Sequence, residues 1–180
     1  CRSFVNPLLW LSARCCLEVV DRDRYEIIAV GITQQGRWTL TDGPIDDPAG
    51  GPLPVVGDDG PTVALVGTRD GPRLLQVDEH NGFTTTGLGR IDAAFPLLHG
   101  PWGEDGTVQG LLATVGVPYV GADVTASSIG IDKAAMKAAF GAAGLPQGAY
   151  RTVERRAWES DPDGVRRDLE ELPLPWFSKP

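Results

Sequence analysis

The sequence lacks any apolar run long enough to cross a bilayer. The stretch around Pro7–Trp10 is too short, and Arg14 interrupts its extension. It has no basic, apolar and cleavage regions in the order of a secretory signal, so no membrane partner is expected. Cysteine is scarce: there are 3, Cys1, Cys15 and Cys16, with no CxxC and no second cluster, which excludes a cysteine zinc site. The vicinal pair reads as buried free thiols in a reducing cytoplasm. Basic residues number 16 against 24 acidic ones, and no basic stripe occurs, which argues against nucleic acid as the main partner. The net charge of −8 does not exclude a nucleotide site, because phosphates are held by local lysines and backbone N–H groups. Neither a Walker pattern nor GxGxxG is present. Thr125, Ser127 and Ser128 form no recognisable nucleophile–base arrangement with His99; they suit a helix cap instead.

What is present suffices for a core. Of 180 residues, 42% are hydrophobic, enough for one domain or for one domain and the beginning of another. In residues 1–20, Leu8, Leu9, Leu11, Cys15, Cys16 and Val19 can line a helix that starts at Asn6-Pro7. Asp21–Arg24 is a polar turn, and Tyr25–Ile32 is β-rich enough for a central strand. A tight turn at Gly36 leads to a short strand at Trp38–Leu40, with Trp38 a packing residue. Residues 42–72 are rich in Gly, Pro and Asp, a surface excursion that leaves room only for short strands near Thr62–Val66 and Arg73–Val77. His80 reads as solvated, and Gly82–Gly89 is too irregular to be a phosphate loop.

The chain is organised around Leu98–Gly110. An apolar run, Ile91–Leu98, reads as a buried strand that presents His99. A turn with three glycines and the adjacent acids Glu104 and Asp105 follows, then a helix to about Val115 capped by Asp105 or Thr107. Val108, Leu111, Leu112 and Val115 fall at helical spacing and are expected to bury one face. Gly116 ends that helix and Val117–Val120 gives another short strand, the βαβ rhythm of a parallel sheet. From the residues alone two readings stand open. The turn is a ligand-binding cluster past the carboxyl end of a strand, or a glycine-rich turn that merely caps the helix. A boundary is expected near Gly121. Beyond it lie a helix over Thr125–Ala143 containing Asp132-Lys133, a strand at Gly148–Val153, a charged helix at Gly164–Leu172 and a strand-like Pro175–Lys179.

The run from Leu98 to Gly110 resembles the LHGxxGEDGxxQG signature of the D-alanine–D-alanine ligases, an ATP-grasp family. The likeness continues through Pro118-Tyr119-Val120-Gly121, Ile131-Asp132-Lys133 and Phe177-Ser178-Lys179-Pro180, in order. It implies an α/β fold: a Rossmann-like pre-ATP-grasp domain with a parallel sheet over residues 1–121, then the truncated beginning of the ATP-grasp central domain, α+β, over 122–180. The family's first strand and its glycine-rich turn with a Glu-His pair have no counterpart before Asp21. The implied activity joins two D-alanines for peptidoglycan, through a D-alanyl phosphate made with ATP. His99 would lie beside the first D-alanine, with Glu104 supporting it. Lys133 would reach the ATP phosphates, and Lys179 the adenine side and α-phosphate. The metal is Mg²⁺ or Mn²⁺, with no ligand expected before residue 180. A homodimeric, cytoplasmic enzyme is implied, and a chain of this length is expected to be inactive alone. Alternatives are a non-catalytic remnant or assembly module, or a ligase whose acceptor is D-lactate or D-serine.

Overall fold

Arg69 and Asp70 make a two-residue reversal between the paired residues Thr68 and Gly71. Gly71 takes a φ of 109°, which an Asp-Gly sequence supplies cheaply. The hairpin is the centre of a five-stranded sheet in a computed structural model that describes residues 15–16, 18–41, 56–57 and 59–178. The chain divides into two compact units, Cys1–Val124 and Thr125–Pro180.

In the first unit the strands are β1 (Val30–Ile32), β2 (Trp38–Leu40), β3 (Thr62–Thr68), β4 (Gly71–Asp78) and β5 (Thr84–Arg90). They lie in sequence order, each antiparallel to the next. Alternation buries Val63 on β3 and Leu74 on β4, at 4% and 3% exposure, while Arg73 points to solvent. Helix α1 (Thr107–Val115) covers the sheet with Val108 and Leu112. These join Val117, and Ile32, Leu65, Ile91, Ala94, Leu98 and Tyr119 pack around them. α1 lies close to β3 at Gly67, where a Cβ would stand in ordinary contact, 3.4 Å from the Val115 carbonyl oxygen.

The mixed α/β class is as expected, but the parallel sheet is not what the described strands build. Among the described residues parallel pairing is confined to one bridge, Ala94 with Tyr119. There the Ala94 N–H donates to Pro118 O at 2.8 Å and the Val120 N–H to Ala94 O at 3.0 Å. Pro96 carries no N–H, so a ladder past Phe95 lacks its next donor. The expected strands Ile91–Leu98 and Val117–Val120 are therefore extended segments joined at a point. Conversely, β3 and β4 outgrow the short strands expected, and the threonine-rich part of Gly82–Gly89 is β5. The thiols differ as well: Cys15 is exposed and Cys16 only half-buried, beside a Val19 that is 80% exposed. The start of the expected first helix falls in residues 1–14, outside the described residues.

The second unit is helical among its described residues: α2 (Val124–Ile131), α3 (Lys133–Ala142), α4 (Arg155–Ser160) and α5 (Pro162–Glu170), with α2 beginning one residue before the unit. One continuous helix over Thr125–Ala143 was expected. Instead Asp132 takes an extended backbone and its carboxylate accepts the N–H groups of Ala134 and Ala135, both at 2.9 Å. A short carboxylate side chain competes with the helical ladder in this way, so Asp132 ends one helix and caps the next. Ser127 and Ser128 lie inside α2 and do not cap α3. Neither Gly148–Val153 nor the described part of Pro175–Lys179 is a strand, since no described segment of this unit offers a strand edge to pair with. The charged helix begins two residues early, at Pro162 behind the cap Asp161, whose side chain accepts the Gly164 N–H at 2.9 Å.

Candidate functional site

The extended segment that carries Ala94 delivers His99 to an exposed position at the mouth of a tight turn. The turn closes because the N–H groups of Gly103 and Glu104 both donate to Gly100 O, at 3.2 and 2.9 Å. Gly103 has to be glycine: a Cβ would strike the Leu98 Cβ and come within 3.2 Å of that residue's carbonyl carbon. Gly100 and Gly106 take φ of 75° and 93°, the left-handed region where a side chain costs most. Trp102 also stands there at 73°, although it is not glycine and is 73% exposed.

The adjacent carboxylates serve different parts of this turn. Glu104 Oε2 accepts the Gly100 N–H at 2.6 Å, and Oε1 lies 3.4 Å from Nδ1 of His99. Asp105 Oδ2 accepts the Trp102 N–H at 2.8 Å, and Oδ1 accepts that of Thr107 at 2.9 Å. The Trp102 N–H chiefly, then the Thr107 hydroxyl and amide, hold the Asp105 carboxyl below the usual carboxylate range. The residue in the N-cap position of α1 is thus Gly106, not Asp105 or Thr107; Asp105 grips the helix start from one residue outside. The two acids face separate amides and do not form a pair set across a ligand.

Inside the turn, Gln109 of α1 donates from Nε2 to Gly103 O at 2.8 Å, at 8% residue exposure. Its Oε1 is buried without a partner among the described residues, an arrangement that costs about 1–3 kcal/mol. Sequence reasoning gave Gln109 no role. Its signal was a polar residue beside Val108 on the buried arc of the helix. That arc also excludes Leu111, which is 40% exposed where burial was expected.

The arrangement presents an imidazole with one nitrogen set against a carboxylate. The other nitrogen, Nε2, has no partner among the described residues, so it can donate to or accept from a ligand. In the second unit Lys133 is exposed, and its Nζ donates to Gly130 O at 2.9 Å. Asp132 takes the Ala134 and Ala135 N–H groups at the start of α3, which leaves fewer free amides there for an anion. Lys137, also on α3, lies with its ammonium 4.8 Å from the Tyr150 ring centroid. Lys179 lies outside the described residues. Among the described residues no group of three or more His, Cys, Asp or Glu is placed to hold a metal ion, and no helix is long and apolar enough to cross a membrane.

Comparison with known proteins places this chain in a family. The chain is 43% identical over 184 aligned residues to the D-alanine–D-alanine ligase of Kocuria rhizophila, covering 99% of this chain and 48% of that protein. It is 40% identical to the enzyme of the same name from Streptomyces coelicolor, again over 99% of this chain and 48% of the relative. The chain thus spans about half the length of the curated relatives it matches. Among solved structures, the D-alanine–D-alanine ligase from Coxiella burnetii superposes with a TM-score of 0.68 at 26% identity, covering 91% of this chain and 44% of that one. A family model described as the D-ala D-ala ligase N-terminus matches residues 10–122, more than half of the sequence, and the chain belongs to that family.

Proposed function

We propose that this chain is the amino-terminal portion of an ATP-dependent ligase that joins two D-alanines for peptidoglycan synthesis. The observation that carries this reading is the 43% identity to a D-alanine–D-alanine ligase across 99% of the chain. On it, Cys1–Val124 corresponds to the pre-ATP-grasp domain and the second unit to the beginning of the ATP-grasp domain. ATP phosphorylates the first D-alanine's carboxylate. The amine of the second D-alanine then attacks the acyl carbon, and inorganic phosphate leaves. His99 orients the first D-alanine from the end of the segment that carries Ala94, and Glu104 supports the ring. The Lys133 ammonium offsets phosphate charge, for which an exposed point charge with rotatable donors is suited. Lys179 is assigned to the nucleotide as well. Mg²⁺ or Mn²⁺ would supply further charge neutralisation, and the described residues offer it no cluster. The assembled enzyme is read as a cytoplasmic homodimer.

The test is a chimera in which residues 1–180 are joined to the remaining segment of the Kocuria rhizophila relative. The expected result is release of ADP and formation of D-alanyl-D-alanine that depends on both ATP and D-alanine. D-lactate and D-serine as acceptors should compete poorly. A folded chimera that binds ATP but turns over no D-amino acid would leave the chain a non-catalytic remnant.

A further inference from the structure

Gln109 is a polar residue in an apolar place. Its neighbours along the buried arc are Val108 at 8% and Leu112 at 3% exposure. A methionine or leucine would fill such a position without burying an unpartnered Oε1. What the amide supplies instead is one bond, from Nε2 to Gly103 O at 2.8 Å. The orientation is not interchangeable, because the reversed amide would set oxygen against oxygen. Gly103 shares its peptide with Glu104, whose two oxygens engage Gly100 and His99. Gly103 carries no side chain of its own with which to anchor that peptide.

We infer that Gln109 is a positioning residue: by tying the Gly103 carbonyl to α1, it fixes the peptide that sets Glu104 against Nδ1 of His99. Its relevance to catalysis rests on the ligase reading above; the positioning itself does not. Glu104 acts on the ring and Gln109 acts on Glu104. Loss of the amide should therefore loosen the His99–Glu104 contact while the apolar packing of α1 survives. A carboxylate beside Nδ1 favours the Nδ1–H form of the imidazole, which gives a direct readout.

The experiment uses the 180-residue chain with nitrogen-15 labelling and long-range correlation spectra of the imidazoles. His80, exposed in the turn between β4 and β5, serves as the internal reference. In the wild type His99 should be enriched in the Nδ1–H form relative to His80, and Glu104→Ala should abolish the enrichment. Gln109→Met should shift His99 at least halfway to its Glu104→Ala spectrum, with His80 unmoved and cooperative unfolding retained. A folded Gln109→Met whose His99 keeps the wild-type spectrum would overturn the inference. Should that variant not fold, the wild type decides. A scalar coupling from Gln109 Nε2 to the Gly103 carbonyl carbon is expected, and its absence overturns the clamp. Turnover by the chimera reads on the ligase assignment alone, so the two can fail separately.

Discussion

Glu104 Oε1 lies 3.4 Å from His99 Nδ1, while the other oxygen of the same carboxylate takes the Gly100 N–H at 2.6 Å. One side chain thereby holds the backbone after His99 and sets a carboxylate oxygen beside Nδ1 of its ring. Replacing Glu104 by alanine should cost about 1 kcal/mol of stability, because the pair is half exposed and only the backbone bond is strong. In the chimera kcat/KM for D-alanine should fall by roughly 10- to 100-fold, as expected for a misplaced orienting group. Urea unfolding and steady-state kinetics on the same preparation separate the two effects.

Asp105 gives the turn a pH dependence of known sign. Its folded pKa is depressed by the Trp102 N–H first and by Thr107 second. The ionised form therefore stabilises the fold above the ordinary value of about 3.9, and that contribution is lost as pH falls through the folded pKa. Asp105→Asn should destabilise the chain by about 1 kcal/mol at neutral pH. The gap between variant and wild type should close on acidification, which denaturant melts at a series of pH values would show. A gap that stays constant down to the acid limit would mean the carboxylate charge is irrelevant there.

Residues 102 and 103 should respond in opposite ways to a change of side chain. Gly103→Ala places a methyl group against Leu98 and is expected to cost about 1–3 kcal/mol. Trp102→Gly removes a left-handed φ of 73° from a residue that buries little, so stability should stay within about 1 kcal/mol of wild type. Calorimetry of the two single variants is sufficient.

Leu112 and Leu111 are chemically identical neighbours on α1. Leu112→Ala opens a hole at a position only 3% exposed and should cost about 2–5 kcal/mol. Leu111→Ala, at 40% exposure, should cost under about 1 kcal/mol. Equal losses would mean that the helix is rotated from the orientation described.

Lys133→Met should leave stability within about 0.5 kcal/mol, since the exposed ammonium holds only the Gly130 carbonyl. In the chimera it should raise KM for ATP roughly tenfold, the loss of one charge-assisted contact of about 1.4 kcal/mol. An unchanged KM would remove Lys133 from the nucleotide site.

How much of this was legible depended on whether the cause was local. The helix Thr107–Val115 and its stop at Gly116 follow from apolar spacing and a glycine able to adopt a φ of 79°, and both were readable. The turn from His99 to Asp105 was readable as a glycine-rich cluster. The division of labour between its acids was not, because that depends on which amide each carboxylate meets in space. Asp132 misled because its neighbours favour helix, and only the position of its side chain shows that it interrupts one. The sheet was underestimated for a related reason: β4 and β5 gain their length from each other, through a register that runs from Arg73–Arg90 to Asp78–Thr84. No single strand shows such a partnership in its own residues. Gln109 was passed over because its value lies in one bond to a backbone oxygen six residues away.

Every hydrogen bond named for the turn between His99 and Gln109 joins residues no more than six positions apart. An exchange of residues 99–109 as one block would therefore carry these bonds together, and an insertion within the segment would separate their partners. Spacing matters in this segment as much as the identity of its residues.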